Sequence, residues 1–358
     1  MKPRVAIIYL CYGNLRHLLE VVSSFEKLTY PKEKMTVLMV PNGSPDGIAD
    51  VIERDVLPRS KKDLPEVVLL NDGENRGFAG GNNLAIQWAL EREFEYVYLH
   101  NGDLKLHAEA IGEAVKMAES DPTIGSVQSL VTYWDNPGRV NTTGGMMHVG
   151  GYGYARDNGK RITEIRVKDG EEIMYASGAA VLYKRSALEH VGLLEEGFFM
   201  YHEDLELGLR LRFAGYKNVI AMKSVAEHDY SFSRNPKKFE WMEIYRNVVL
   251  FSYMKVRTLI LLLPLLVLID LGGWFLSLLG GWFPAKIRAE FALTKPETIR
   301  LITRMRKRAQ RLRVIKDKEW LKDVVGVIEG QESISPLVKY GNGAIDRIWR
   351  TTRKGIFW

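Results

Sequence analysis

The chain has 358 residues, of which 46% are hydrophobic, a formal net charge of +6 and one cysteine. That length and apolar fraction support a sizeable packed core, and the lone Cys11 excludes both an intramolecular disulfide framework and a cysteine metal cage. The charge is segregated: thirteen Lys and Arg stand against five acids between Lys286 and Asp323, which leaves the rest slightly acidic and directs that segment at lipid rather than nucleic acid.

In chain order, "RVAIIYL" reads as a buried strand, and "NLRHLLEVVSSFEKL" sets Leu15, Leu18, Leu19, Val22 and Phe25 at helical spacing. The apolar run from Val5 breaks at Tyr12, Gly13 and Asn14, so no signal peptide is expected. "KMTVLMVPNGSPDG" is a second strand ending in a turn, and the order strand, helix, strand implies a right-handed parallel crossover. "IADVIERDV" predicts another helix, "EVVLLND" a third strand, "GGNNLAIQWALERE" a third helix and "YVYLHNGD" a fourth strand. Residues 1–120 therefore read as a Rossmann-like half of an α/β fold, with a mostly parallel central sheet flanked by helices.

The glycine-rich stretch 124–160 has no helical period and reads as short strands and loops carrying the second half of a site. "ASGAAVLYKRSALEHVG" predicts a strand followed by a helix that Gly192 ends. Past residue 240 the character changes. Residues 258–283 hold one charge, Asp270, and are long enough to cross a bilayer. Pro264, Gly272, Gly273, Gly280 and Gly281 interrupt them, while Lys255, Arg257, Lys286 and Arg288 flank both ends. Two basic flanks predict a re-entrant or interfacial hairpin, with a true span and a buried soluble helix pair as the other readings. Residues 297–323 set Ile299, Ile302, Met305, Leu312 and Ile315 among cations, as in a basic amphipathic helix on anionic headgroups or a solvated helix with a narrow core stripe. The tail 326–358 repeats the interfacial theme through Trp349, Phe357 and Trp358.

Four segments offer chemistry. Asn101, Gly102 and Asp103 end the fourth strand, where a carboxylate either closes a turn or holds a metal or sugar hydroxyl. "NRGFAGGNN", residues 75–83, lets backbone approach a ligand at Gly77, Gly80 and Gly81 and offers Asn75, Asn82 and Asn83 to a base, ribose or phosphate. Glycine-rich loops before helices are also common without any ligand. "FFMYHEDLELGLRLRFAGY" puts Glu203 and Asp204 in a first helical turn, either to complement the helix dipole or to take a proton from a hydroxyl at a pocket lip. Glu206 and Arg210, at i,i+4, read as a surface pair, and His228 follows the apolar "VIAM" as a lone histidine.

Together these segments resemble the family 2 glycosyltransferases of the GT-A fold, particularly the bacterial rhamnosyl- and galactofuranosyltransferase-like branch. The motifs run in the family's order over residues 4–232. "YLCYGNLRHLLEVVSSF" resembles the opening strand and helix, "VPNGSPDG" the second-strand turn and "NRGFAGGNN" the donor loop; "HNGD" resembles the metal motif, the segment from Ser177 to Tyr216 the acceptor block and "EHDYS" the later histidine. The resemblance implies that Asp103 binds a divalent cation, Mn²⁺ or Mg²⁺, with His228 a further ligand, on a nucleoside-diphosphate sugar. It implies Asp204 as general base on the acceptor hydroxyl, supported by Glu203 and Arg210. Around the nucleotide sugar it implies Tyr9, Asn42, Ser44, Asn75, Gly77, Phe78, Gly81, Asn83 and Asn101. The pattern departs at Asn101, where a strict motif has Asp, and at Pro41, where the family has an Asp on the nucleoside, so the choice among UDP, dTDP and GDP sugars stays open.

The resulting expectation is a GT-A domain at 1–240, with a nucleotide-sugar half at 1–120 and an acceptor half at 121–240. A membrane-associated helical region at 241–325 and the basic aromatic tail follow. The expected activity is inverting, metal-dependent transfer of a sugar to a hydroxyl of a polyprenyl-diphosphate-linked glycan in cell-wall or surface polysaccharide synthesis. It would sit on the cytoplasmic face of a prokaryotic membrane, peripherally or through the hairpin. The expected partners are a nucleotide sugar, a lipid-linked glycan acceptor and an anionic membrane surface, with no nucleic acid; a homo-oligomer stays open. A polyprenyl-phosphate sugar transferase and a non-catalytic sugar-nucleotide-binding subunit are the alternatives.

Overall fold

The computed structural model describes residues 2–230, 235–330 and 336–358, with side chains of the last stretch from 341 onward. Its first half runs β1 (Val5–Leu10), α1 (Leu18–Glu26), β2 (Met35–Val40), α2 (Ile48–Val51), β3 (Glu66–Leu69), α3 (Gly77–Glu91), β4 (Tyr96–Asn101), β5 (Leu104–Leu106) and α4 (Ala110–Glu119). The second half runs β6 (Ile124–Tyr133), the short β7 (Val140–Thr142), β8 (Gly145–Met147) and β9 (Gly153–Ala155), then β10 (Ala180–Lys184), α5 (Arg185–Val191), α6 (Glu203–Phe213) and β11 (Lys217–His228). Strands β1 and β2 are buried at every position, as unbroken apolar runs must be when helices cover both faces of a sheet.

The main sheet has the order β3-β2-β1-β4-β10-β6-β11-β5. The β3-β2-β1-β4 strands are parallel, β10 runs against both of its neighbours, and β6 pairs β11 in parallel. Pairing in register from Val5↔Met35 to Leu10↔Val40 and from Val5↔Tyr96 to Leu10↔Asn101 brings three carboxyl ends to one edge. The strand order reverses between β1 and β4, so the crevice above their ends is the switch point where such sheets bind ligands. Two reversed strands complete that edge. The start of β10 lies beside Asn101, whose N–H donates to Ala179 O at 3.1 Å, and pairing of β11 with β5 sets His228 opposite Leu104 and so next to Asp103.

The carboxyl-terminal part is all helical: α7 (Pro236–Tyr253), α8 (Val256–Leu279), α9 (Phe283–Thr294), α10 (Pro296–Leu312), α11 (Asp317–Trp320) and α12 (Pro336–Arg353). A hydrophobic cluster crosses residue 240, joining Phe198, Leu205 and Phe213 to Tyr253, Met305, Trp320 and Trp349. The hairpin expected within 258–283 is corrected. Val256–Leu279 is one helix of 24 residues, roughly 36 Å long, and the chain turns only at Gly280–Trp282. Pro264 lies inside that helix, and Gly272 and Gly273 continue it without a break. Thr258, Leu262, Leu265, Ile269, Gly273 and Ser277 form a buried stripe along α8. Its outer face, with Ile260, Leu263, Leu271, Phe275, Leu278 and Leu279, is exposed.

An ion cluster fixes α8 midway. Asp270 Oδ1 accepts from Arg246 and Lys286, both at 2.7 Å, and Glu243 Oε2 accepts from the same two cations at 2.8 and 2.7 Å. Glu243, Asp270 and Glu290 converge closely enough to suggest a metal, but Arg246 and Lys286 already neutralise them. The basic helix is also shorter than expected, ending at Leu312 rather than 323, and part of its charge turns inward. Arg304 and Arg308 pair with Glu195, and Arg306 donates to the carbonyls of Phe251 and Met254. In the tail, Trp349 is buried and Trp358 Nε1 donates to Thr258 Oγ1 at 2.8 Å, so both serve packing; Phe357 stays exposed. Residues 331–335 of that tail lie outside the described residues, as do 231–234.

Candidate active site

A cleft of about 760 Å³ opens over the switch point. Asn42, Asn75, Gly77, Phe78, Asn101, Asp103, Glu203, Asp204 and His228 all line it, so the structure gathers most of the residues singled out from sequence. Asn42, in the left-handed region at φ 54°, ties the second-strand turn to the glycine-rich loop. Its Oδ1 accepts from Arg76 N at 3.0 Å and its Nδ2 donates to Gly77 O at 3.2 Å. Gly77 has φ 68°, and a Cβ there would fall 2.3 Å from Phe199 O. Only glycine permits this approach, which lets Phe78 N donate to Phe199 O at 2.8 Å and locks the loop onto the 198–204 segment.

Five expected contacts are corrected. Tyr9 is buried beneath the cleft, its hydroxyl donating to Gly102 O at 3.1 Å. Ser44 donates to Asp46 at 2.7 Å and accepts from Gly13 N at 2.8 Å, so it shapes the turn below the opening. Gly81 makes room for Leu10 and Asn42, while Asn83 donates to Leu194 O and Glu196. Arg210 is fully buried on α6 and donates to Glu206 at 2.5 Å and to the carbonyls of Val191 and Leu193. It therefore holds α6 in place and makes no contact with Asp204. A pair at i,i+4 looks the same in sequence whether it faces water or the core.

The first chemical station is the edge of β5 and β11. His228 Nδ1 donates to Asn141 Oδ1 at 3.2 Å, and its Nε2 faces Asp103 Oδ1 at 3.1 Å. With Nδ1 carrying the proton, two acceptors face each other, an arrangement that a further proton or a cation must bridge. Burial opposes ionisation of Asp103, but with that further proton on His228 its hydrogen bond and charge outweigh burial and hold the carboxyl below its ordinary range. A carboxylate, an imidazole and an outer amide that fixes the tautomer fit a divalent cation. Sequence reasoning missed Asn141, which has no motif around it, and Asp229, which pairs with His17 at 2.7 Å and whose N–H donates to Asp103 O at 2.9 Å.

The second station is the amino end of α6. Tyr201 and His202 both adopt positive φ, 73° and 69°, a strained lead-in that turns the two following acids into the cleft. His202 Nε2 donates to Gly151 O at 3.2 Å, and burial pulls its imidazole down to about 4, so it stays neutral. Asp204 accepts from Gly178 N at 3.2 Å and Leu205 N at 2.7 Å. Gly178 leaves space that the Phe78 ring would otherwise lose to a Cβ. Burial pushes the Asp204 carboxyl up, and burial together with the Asp204 charge pushes Glu203 well up. Glu203 Oε2 is buried without a hydrogen-bond partner among the described residues. Such a pair shares protons and favours one ionised acid at a time.

Residues 3–246 match the family described as "Glycosyltransferase like family 2". The chain belongs to that family. It is a glycosyltransferase. Over 258 residues it is 26% identical to an N-acetylglucosaminyl-diphospho-decaprenol L-rhamnosyltransferase of Mycobacterium tuberculosis, covering 66% of this chain and 80% of the relative. Over 154 residues it is 27% identical to the low-salt glycan biosynthesis hexosyltransferase Agl10 of Haloferax volcanii, covering 41% of this chain and 47% of the relative. Its fold is similar to that of the mannosyltransferase PcManGT of Pyrobaculum calidifontis, in complex with GDP-Man and Mn²⁺. The TM-score is 0.51 at 17% identity, over 100% of this chain and 88% of that one. This glycosyltransferase therefore has the mixed α/β architecture of the GT-A fold.

Proposed function

We propose that this glycosyltransferase moves a sugar, with inversion, from a nucleoside diphosphate to a hydroxyl of a polyprenyl-diphosphate-linked glycan during cell-surface polysaccharide synthesis. The observation that carries this is the pairing, in one cleft, of a carboxylate held ionised at Asp103 with a backbone-oriented carboxylate pushed up at Asp204. Asp204 takes the proton of the acceptor hydroxyl as that oxygen bonds to the anomeric carbon. The carbon–oxygen bond to the diphosphate breaks, and its electron pair leaves with the nucleoside diphosphate. Asp103 and His228 are the residues that would hold Mn²⁺ or Mg²⁺, which when bound offsets charge on the leaving diphosphate. The cation, the nucleotide sugar and the lipid-linked acceptor are supported by what the similar proteins are described as binding or acting on.

Docking on the cytoplasmic face of a prokaryotic membrane accounts for α8, whose outer stripe is apolar while its inner stripe is packed on the domain. α8 is, among the described residues, the helix long and apolar enough to cross a bilayer. Its ion cluster and packed inner face favour lying along the interface instead. The test is release of nucleoside diphosphate from UDP, dTDP and GDP sugars, with Mn²⁺ or EDTA and a polyprenyl-diphosphate-linked sugar as acceptor. The expected result is acceptor-stimulated release from one donor, lost with EDTA and about 10²- to 10⁴-fold slower in Asp204→Asn. Donor binding without release under any acceptor would overturn the catalytic reading in favour of a binding subunit.

A further inference from the structure

One wall of the cleft is the amino end of α7. Lys238 and Trp241 line it there, beside Phe199 and Tyr201 of the segment that leads into α6. Trp241 packs on the rings of Phe199 and Tyr201 at 5.2 and 6.4 Å between centroids, and Lys238 Nζ stands 5.0 Å from the centre of the Tyr201 ring. Lys238 is only 8% exposed, and burial pulls its ammonium down to about 8. Lys238 therefore puts a cation on the cleft wall that an entering anion would pass.

The same turn of α7 reaches the apolar face of the molecule. Phe239 stacks on Trp282 at 5.0 Å with 14° between the ring planes. Trp282 closes the turn after α8, whose last residues include the exposed Phe275, Leu278 and Leu279. A ligand leaving the cleft past Lys238 therefore meets an apolar surface at the next residue along α7. A diphosphate that joins a sugar to a hydrocarbon chain has its three parts in that order.

We propose that Lys238 binds the diphosphate of the lipid-linked acceptor, with the sugar toward Trp241 and the hydrocarbon toward the carboxyl end of α8. The proposal rests on the lipid-linked reading above and adds the group that tells a lipid-linked sugar from a free one. The donor also carries a diphosphate, so the test separates the two sources. Steady-state kinetics with a polyprenyl-diphosphate-linked sugar and with the same sugar as a neutral alkyl glycoside would be compared in wild type, Lys238→Gln and Lys238→Arg. The expected result is a wild-type preference for the lipid-linked acceptor in kcat/KM, cut about tenfold in Lys238→Gln through acceptor KM and largely restored in Lys238→Arg. An unchanged preference in Lys238→Gln, or a rise confined to donor KM, would overturn the assignment. Equal use of both acceptors by the wild type would overturn it too, while leaving the transfer reaction standing. No transfer to either acceptor, with donor bound, would remove the functional reading and this assignment together.

Discussion

The cleft holds two acid stations that burial treats oppositely. At the edge of β5 and β11, His228 more than offsets the cost of burying Asp103, and the carboxyl is held down. At the start of α6, no cation among the described residues answers Glu203 and Asp204 in the same way, and both are pushed up. The difference shows that depth alone does not decide the charge of a buried acid; the partner placed beside it does. One station thereby keeps a carboxylate ionised beside an imidazole, and the other favours keeping a proton.

The comparison is broken most severely at the proton side, where, in the proposed reaction, Asp204→Asn leaves no carboxylate for the acceptor proton. Next comes Asp103→Asn, expected to lower kcat/KM by about 10²- to 10³-fold, with a raised divalent-cation requirement measured by titrating Mn²⁺. A control for both is Arg210→Ala, which touches neither station. It leaves Glu206 buried with less compensation and is expected to cost about 3 kcal/mol in denaturant unfolding.

The smallest effect sharpens the contrast through pH. A carboxyl raised in the fold keeps its proton at a pH where the unfolded chain has lost it, so Glu203 destabilises the fold increasingly as pH rises above the ordinary carboxyl range. Glu203→Gln should therefore stabilise the protein by about 1–2 kcal/mol near pH 8 and by little near pH 4, read from thermal unfolding at both. By the same sign, activity should fall as pH drops through the raised value of the pair, because in the proposed reaction Asp204 must be ionised to accept a proton. A profile that breaks near the ordinary Asp value would show that the pair is not raised as the geometry implies.

The parallel half of the fold was legible because period and turn chemistry are local: the carboxyl ends of β1, β2 and β4 follow from three apolar runs and their turns. Asp103, His228 and the Glu203–Asp204 pair were legible through motifs in a familiar order. What sequence could not show is which way a side chain points once distant strands pair. Tyr9, Ser44 and Asn83 sit within the right motifs yet spend their polar groups on the frame. Asn141 and Lys238 belong to the cleft only because β7 and α7 return to it across long stretches of chain. The apolar run 258–283 misled for a related reason, since breaker residues predict a bend only locally, and here a buried stripe from Thr258 to Ser277 packs α8 as one continuous helix through Pro264 and Gly273.

The ion cluster beneath α8 has a geometric consequence. Because Asp270 is fastened to Arg246 and Lys286, the interval between the outer face of α8 and Asp204 is set by folded protein and not by a linker. Seated on a bilayer, the enzyme would act as a ruler, presenting its base at one fixed height above the headgroups.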